Sequence, residues 1–259
     1  MTKIKEGDQA IIMHDSGNSY LIDIELRTFH SQYGAFSLKD IIGKDYGKRY
    51  KTTSGDEFLV LEPDFRDLLS KSLKRGPQII HPKDVGMITT FCGIGKTTKV
   101  LEAGCGSAFL TSHLGNIAKS VVSWEKNEKH YKICTENIRR MGLKNIEVKA
   151  GDIKEEKDTD FDVVILDMPT PQDTIREITK NLKVGGRIAV YSPCIEQSTA
   201  AIHMLESKGF TNIVFRECLI RDWEQEKCIR PKTAMLGHTG FLVFARYIKK
   251  ENKNKKDVE

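Results

Sequence analysis

The rhythm of apolar and polar positions changes near residue 62. Before it, short apolar stretches at 9–13, 20–22 and 58–61 alternate with turns carrying Gly17, Gly34, Gly43, Gly47 and Gly55. Close turn spacing without a helical period predicts a small antiparallel β domain over 1–62. Pro63 then opens a helical segment with Phe65, Leu68, Leu69 and Leu73 on one face, stopped by Gly76-Pro77. Residues 63–77 are therefore expected to form a linker helix between two modules. From 78 to 248 strand-like and helix-like segments alternate. Candidate strands fall at 99–103, 120–125, 146–149, 161–166, 187–191, 211–215 and 241–245, with helical segments at 128–141, 172–182 and 198–208. That alternation predicts an α/β fold, a doubly wound, mostly parallel seven-stranded sheet with ligands at the strands' carboxyl ends. The last two strands lack a helix between them, which predicts an antiparallel hairpin at one edge. The tail, 249–259, holds five lysines and three acids with almost no apolar residue, so disorder is expected there.

Composition narrows the class. At 259 residues the chain can carry one large domain and a small one. It has no apolar run of about 18 residues and no leader-like N-terminus, so neither a membrane span nor secretion is expected, and a cytoplasmic protein is. A net charge of +5 favours a polyanionic partner without identifying one. Cys92, Cys105, Cys134, Cys194, Cys218 and Cys228 include no C-x-x-C pair, so no zinc or other metal site is expected. Sequence alone does not decide whether any of them pair.

The chemistry gathers after the strand at 99–103. Val100-Leu-Glu-Ala-Gly-Cys-Gly-Ser-Ala108 reads as a buried strand ending in a tight glycine turn into a helix. Glycines there let the backbone approach a ligand, and Glu125 ends the next strand where it can grip a ribose. A dinucleotide fingerprint fails, because counting from Gly104 and Gly106 the third glycine position is Phe109. A phosphate loop at Gly93-Ile-Gly-Lys-Thr97 fails too, with Thr90 where a glycine is required and no strand before it. E-x-G-x-G at Glu102, Gly104 and Gly106 resembles the class I S-adenosyl-L-methionine (SAM) methyltransferases. SAM carries a sulfonium and an ammonium but no pyrophosphate, so an acid before the glycines is electrostatically useful.

Four acids end successive strands: Glu102, Glu125, Asp152 and Asp167. In a parallel sheet they would share one crevice, where buried like charges repel unless they meet donors or cations. The expected allocation puts Glu102 near the methionine amino end, Glu125 on the ribose hydroxyls, Asp152 at the adenine edge and Asp167 near the transferred methyl. In Asp167-Met-Pro-Thr-Pro171 the prolines restrict the backbone, and no aromatic follows to stack a target base as in exocyclic-amine methyltransferases. That favours attack by a ring nitrogen such as adenine N1, whose lone pair needs no base. A carboxylate facing N1 and N6 would stabilise the growing positive charge. Cys194 lacks a neighbouring general base and reads as structural rather than nucleophilic.

Several motifs in order resemble the tRNA (adenine-N1)-methyltransferases that modify T-loop position 58. They are Arg75-Gly-Pro-Gln-Ile-Ile-His-Pro-Lys-Asp84, the glycine motif, the Asp167 loop, Tyr191-Ser-Pro with Glu196-Gln197, and Met235-Leu-Gly-His-Thr-Gly-Phe-Leu242. Together they cover about residues 1–247. The resemblance implies a tRNA substrate, SAM as cofactor, a homotetramer, and methylation of adenosine 58, with 57 left open. By motif position it puts Gln78 and Ser107 at the cofactor and His81 beside the target base, with Asp167 and His81 as the catalytic pair. Ala108 replaces a frequent glycine, expected to be harmless because alanine is small. Thr170 and Gln172 replace the Asp and Trp of bacterial versions, which leaves substrate positioning open.

Lys44, Lys48, Arg49, Lys51, Lys71, Lys74, Arg75, Arg230 and Lys232 are candidate phosphate contacts, and the target base must leave its stack to be methylated. Two other readings stay open. One is a small-molecule or protein methyltransferase on the same sheet. The other is a tRNA-binding subunit without catalysis, for which eroded cofactor motifs would be expected.

Overall fold

The computed structural model describes residues 2–225 and 228–248; the tail expected to be disordered lies outside them. Two compact units divide between Leu73 and Lys74. In the first, β1 (Gln9–His14), β2 (Ser19–Asp23), β3 (Thr28–Ser31), β4 (Gly34–Ser37), β5 (Lys48–Lys51) and β6 (Glu57–Leu61) precede α1 (Phe65–Lys71). An antiparallel sheet runs β2-β1-β6-β5, and β3 pairs with β4 as a separate hairpin. Its core centres on Phe58, which meets the rings of Tyr20, Phe29 and Phe36. α1 starts one residue after Asp64, not at Pro63, because Asp64 and Asp67 form a reciprocal capping box. The helix ends at Lys71, and all of it belongs to the first unit.

The second unit contains α2 (Pro82–Phe91), β7 (Lys99–Ala103), α3 (Phe109–Ile117), β8 (Ser120–Glu125), α4 (Glu128–Met141), β9 (Ile146–Ala150), β10 (Phe161–Asp167) and α5 (Pro171–Ile178). After these come β11 (Leu182–Ser192), α6 (Ile195–Ser207), β12 (Phe210–Arg216), β13 (Trp223–Glu224), β14 (Arg230–Pro231) and β15 (Phe241–Tyr247). The seven-stranded sheet has the order β12-β15-β11-β10-β7-β8-β9. β15 is antiparallel to both neighbours, and the other pairs are parallel. Val163, Val164, Ile165 and Leu166 of β10 are fully buried, each stabilising the fold by about 1.5–3 kcal/mol.

The last two strands form the expected antiparallel pair at one edge. Within the pair β15 is the inner strand, inserted between β11 and β12, and β12 is the edge. Burial explains the order. Leu242 to Ala245 of β15 are buried on both faces, as suits an inner strand of a covered sheet, whereas Phe215 and Arg216 of β12 are exposed.

Chain reversal between β7's two neighbours, β10 on one side and β8 on the other, opens a crevice at their carboxyl ends. α4 is placed against this edge by Asn127, which caps its first turn, and by Gly142, whose left-handed φ of +66° stops it.

Candidate cofactor and active site

β7 must turn sharply into α3, and Gly104 (φ +92°) and Gly106 (φ +53°) make the turn. Gly104 has a second reason to be glycine: a Cβ there would overlap the carbonyl oxygen of Asp167 at the end of β10. Ala108 completes the turn and caps α3 with φ +64°. The expectation that alanine is harmless here needs correcting. Its size fits, but a Cβ in left-handed backbone costs about 1–2 kcal/mol.

The segment before α2 is tied to this turn. Ser107 Oγ donates to the carbonyl of Pro77 (3.0 Å) and accepts from the amide of Gly76 (3.2 Å). Asn137 of α4, fully buried, accepts from the amide of Lys74 (2.8 Å) and donates to the carbonyls of Lys74 and Ser107 (both 3.0 Å). Asn137 was not singled out from sequence. Its signal was an amide on the apolar face of α4, three residues from Cys134 and next to Ile138.

Each strand-end acid has a distinct environment. Glu125 is buried, with Oε2 accepting from the amide of Gly106 (3.0 Å) and Oε1 from that of Asn127 (2.9 Å). Glu102 is fully buried. Its Oε2 accepts from the hydroxyls of Thr111 and Ser123, both at 2.7 Å, while Oε1 has no partner among the described residues. Burial pushes its carboxyl up to about 7 against the pull of those two hydroxyls. Asp167 is also pushed up to about 7, by burial first and then by the charges of Glu102 and Glu125. Asp152 caps a short 3-10 turn by accepting from the amide of Lys154 (3.0 Å), with Lys126 Nζ 3.7 Å away.

A cavity of about 540 Å³ opens above the turn. Of the residues expected at the site, Gln78, Gly104, Gly106, Ser107, Glu125, Asp152 and Asp167 line it. Glu102 does not: it lies buried among hydroxyls and neighbouring carboxylates. His81 does not line it either. It is the N-cap of α2, its Nδ1 facing the amide of Lys83 at 3.4 Å, with Pro82 at the first helical position. Trp124, Lys126, His130 and Met168 line the cavity without having been assigned roles from sequence. Trp124 is fixed by its indole N–H donating to Glu156 Oε2 (2.9 Å). The Asp167 loop is held from behind, where Gln197 Nε2 donates to the carbonyl of Pro169 (2.9 Å).

These residues fit SAM. Glu102, Glu125 and Asp167 sit at the ends of three adjacent strands, and no ion pair neutralises any of them among the described residues. Three clustered carboxylates, one with an orphaned oxygen, favour a cationic ligand. Gly104 and Gly106 shape the floor of the cavity, and its volume suits a small-molecule site. Of the candidate phosphate contacts, Arg49 is paired with Asp15 and Arg230 with Glu224, while Lys71 donates to the carbonyl of Ser19.

Residues 58–229 match the family described as tRNA methyltransferase complex GCD14 subunit. A tRNA (adenine(57)-N(1)/adenine(58)-N(1))-methyltransferase of Methanocaldococcus jannaschii is 32% identical over 268 residues, covering 91% of this chain and 94% of its own. A tRNA (adenine(58)-N(1))-methyltransferase catalytic subunit of Dictyostelium discoideum is 25% identical, covering 95% and 97%. The solved structure of a tRNA (m1A58) methyltransferase from Aquifex aeolicus has a TM-score of 0.83 at 26% identity, covering 96% of this chain and 100% of that one. A Thermotoga maritima structure named as a SAM-dependent O-methyltransferase has a TM-score of 0.89 at 26% identity, covering 97% of both chains.

Proposed function

The chain belongs to the tRNA methyltransferase family of the GCD14 subunit, and from that premise we propose that it methylates N1 of adenosine 58 in the tRNA T-loop, using SAM. Adenosine 57 is a second acceptor in this reading, supported by the name of the Methanocaldococcus relative, which covers both positions.

SAM, when bound, supplies an electrophilic methyl group. The chain's residues bind it, orient the base and manage charge. Glu125 takes the ribose hydroxyls, Asp152 the adenine edge, and Gln78 and Ser107 the wall opposite. Glu102 lends the methionine end negative potential from beneath. Asp167 faces the target base, accepting a hydrogen bond from N6 and stabilising the positive charge that N1 acquires. His81, which caps α2 and does not line the cavity, is assigned to that base by its motif position alone. The observation that carries this reading is the carboxyl of Asp167, which lines the cavity and meets no ion-pair partner among the described residues, on a strand end whose backbone carbonyl packs against Gly104. Electrostatic stabilisation of this kind contributes about 10²–10³ in rate.

The functional protein in this reading is a cytoplasmic, RNA-binding homotetramer. Leu219, Ile220, Trp223, Ile229 and Leu236 support self-association, since each is at least half exposed within one short stretch of chain. Sedimentation of the purified protein tests this, and a monomer at micromolar concentration would reject it.

An O-methyltransferase reading has one observation in its favour, the Thermotoga likeness. That structure matches over the whole chain, first unit included, so the fold alone does not choose the acceptor. The acceptor is tested by incubating unmodified tRNA transcript with labelled SAM and analysing nucleosides. Label in 1-methyladenosine is expected. Its absence overturns the proposal.

A further inference from the structure

A buried ion pair outside the cavity lies in the first turn of α2. Lys83 Nζ is 2.7 Å from Asp84 Oδ1, and the two side chains are 4% and 0% exposed. Adjacent helical residues do not face each other, so such a pair has to converge on a third group. That group is Thr239, 155 residues beyond Asp84. Its hydroxyl accepts from Lys83 Nζ and donates to Asp84 Oδ2, both at 2.6 Å.

Thr239 is itself held from the sheet. Its carbonyl accepts from the hydroxyl of Tyr191 (2.6 Å), and Tyr191 stands on β11 in register with Asp167 on β10. Gly240 makes that contact geometrically open, since a Cβ there would overlap the Tyr191 ring. On the other side His238 places Nδ1 2.6 Å from Glu217 Oε1 and Nε2 3.0 Å from the carbonyl of Pro193. The Glu217 carboxylate first, and then the Pro193 carbonyl, raise the pKa of this ring by favouring its protonated form. The chain of contacts thus runs from the strand end that carries Asp167 to the turn of α2 that His81 caps.

We propose that Thr239 is a positioning residue for methyl transfer: by bridging Lys83 and Asp84 it fixes the first turn of α2, and with it His81, relative to Asp167. The inference rests on the roles given above to Asp167 and His81. None of the contacts made by Thr239 reaches Glu125, Asp152 or the glycine turn, so cofactor binding and turnover are separable. Thr239→Val keeps the shape and removes the hydroxyl, leaving two buried charges short of a partner.

The test measures kcat with tRNA transcript and, separately, the SAM dissociation constant by calorimetry, for the full chain. Thr239→Val is expected to lower kcat by about 10–100-fold, the scale of a misplacement near 1 Å, while the SAM dissociation constant moves less than about twofold. Thr239→Ser is expected to restore kcat to within about threefold, a rescue that lost packing would not give. Unchanged kcat in Thr239→Val overturns the inference, as does a SAM dissociation constant that rises as far as kcat falls. If Thr239→Val does not fold, Tyr191→Phe decides by cutting the other link with its ring packing kept: reduced kcat with unchanged SAM binding supports the inference, and unchanged kcat overturns it. Wild type that yields no 1-methyladenosine rejects the parent reading; active wild type beside an unaffected variant rejects the Thr239 role alone.

Discussion

Gly104 and Asp167 interlock across the first crevice of the sheet: the space a Cβ would need on Gly104 is filled by the carbonyl oxygen of Asp167. Gly104 also sits at φ +92°, where any side chain is strained. Gly104→Ala should therefore displace the end of β10 as well as the turn. The expected result is at least a tenfold loss of SAM affinity and a loss of about 1–3 kcal/mol of stability, read by calorimetry and denaturant unfolding. Wild-type affinity in that variant would remove the interlock from the binding argument.

Asp167→Ala separates the two halves of the site. The Asp167 side chain is assigned to the base, while Glu125 and the glycine turn carry the cofactor. Turnover should drop by about 10²–10³ with SAM binding within about threefold of wild type. Single-turnover assays with saturating tRNA check this, and an unchanged rate would show that Asp167 does not stabilise the product charge.

The raised carboxyls give the empty protein a definite pH dependence. Glu102 and Asp167 both titrate near 7, above their ordinary values of 4.5 and 3.8. Between those values and 7 the folded state binds more protons than the unfolded chain, so stability falls as pH rises and levels off above about 7. A cationic ligand prefers an ionised carboxylate, so SAM affinity should rise over the same window as Glu102 loses its proton. Thermal melts of the ligand-free protein from about pH 5 to 8 should show the decline, and Glu102→Gln should flatten it. A melting temperature that rises with pH would reverse the sign and reject the account.

What could be read from sequence followed from local periodicity. β7, β8 and α4 were expected with the bounds they have, because short apolar runs alternate with a helix-length segment, and the run of β7 ends at a glycine. Pairing is not local, so the insertion of β15 between β11 and β12 was not legible. Register is also set by pairing: Glu102 is partnered with Ser123, so Glu125 stands two residues further along the sheet, and only Glu125 lines the cavity. His81 before Pro82 did carry a local signal, since an N-cap followed by proline at the first helical position opens a helix, and α2 begins there.

Ala108 offers a test of the turn that leaves its chemistry in place. With φ at +64° its Cβ is crowded, which costs about 1–2 kcal/mol. Glycine would relieve that strain, but it also widens the unfolded ensemble, which returns about 0.4–1 kcal/mol. The difference is about 1 kcal/mol in favour of Ala108→Gly, or roughly 2–4 °C in the melting temperature of a domain this size. Ala108 is buried and does not line the cavity, so SAM affinity should be unchanged. Calorimetric melts with a parallel binding titration check both halves. A variant that melts lower than wild type would mean the left-handed backbone at 108 is not strained.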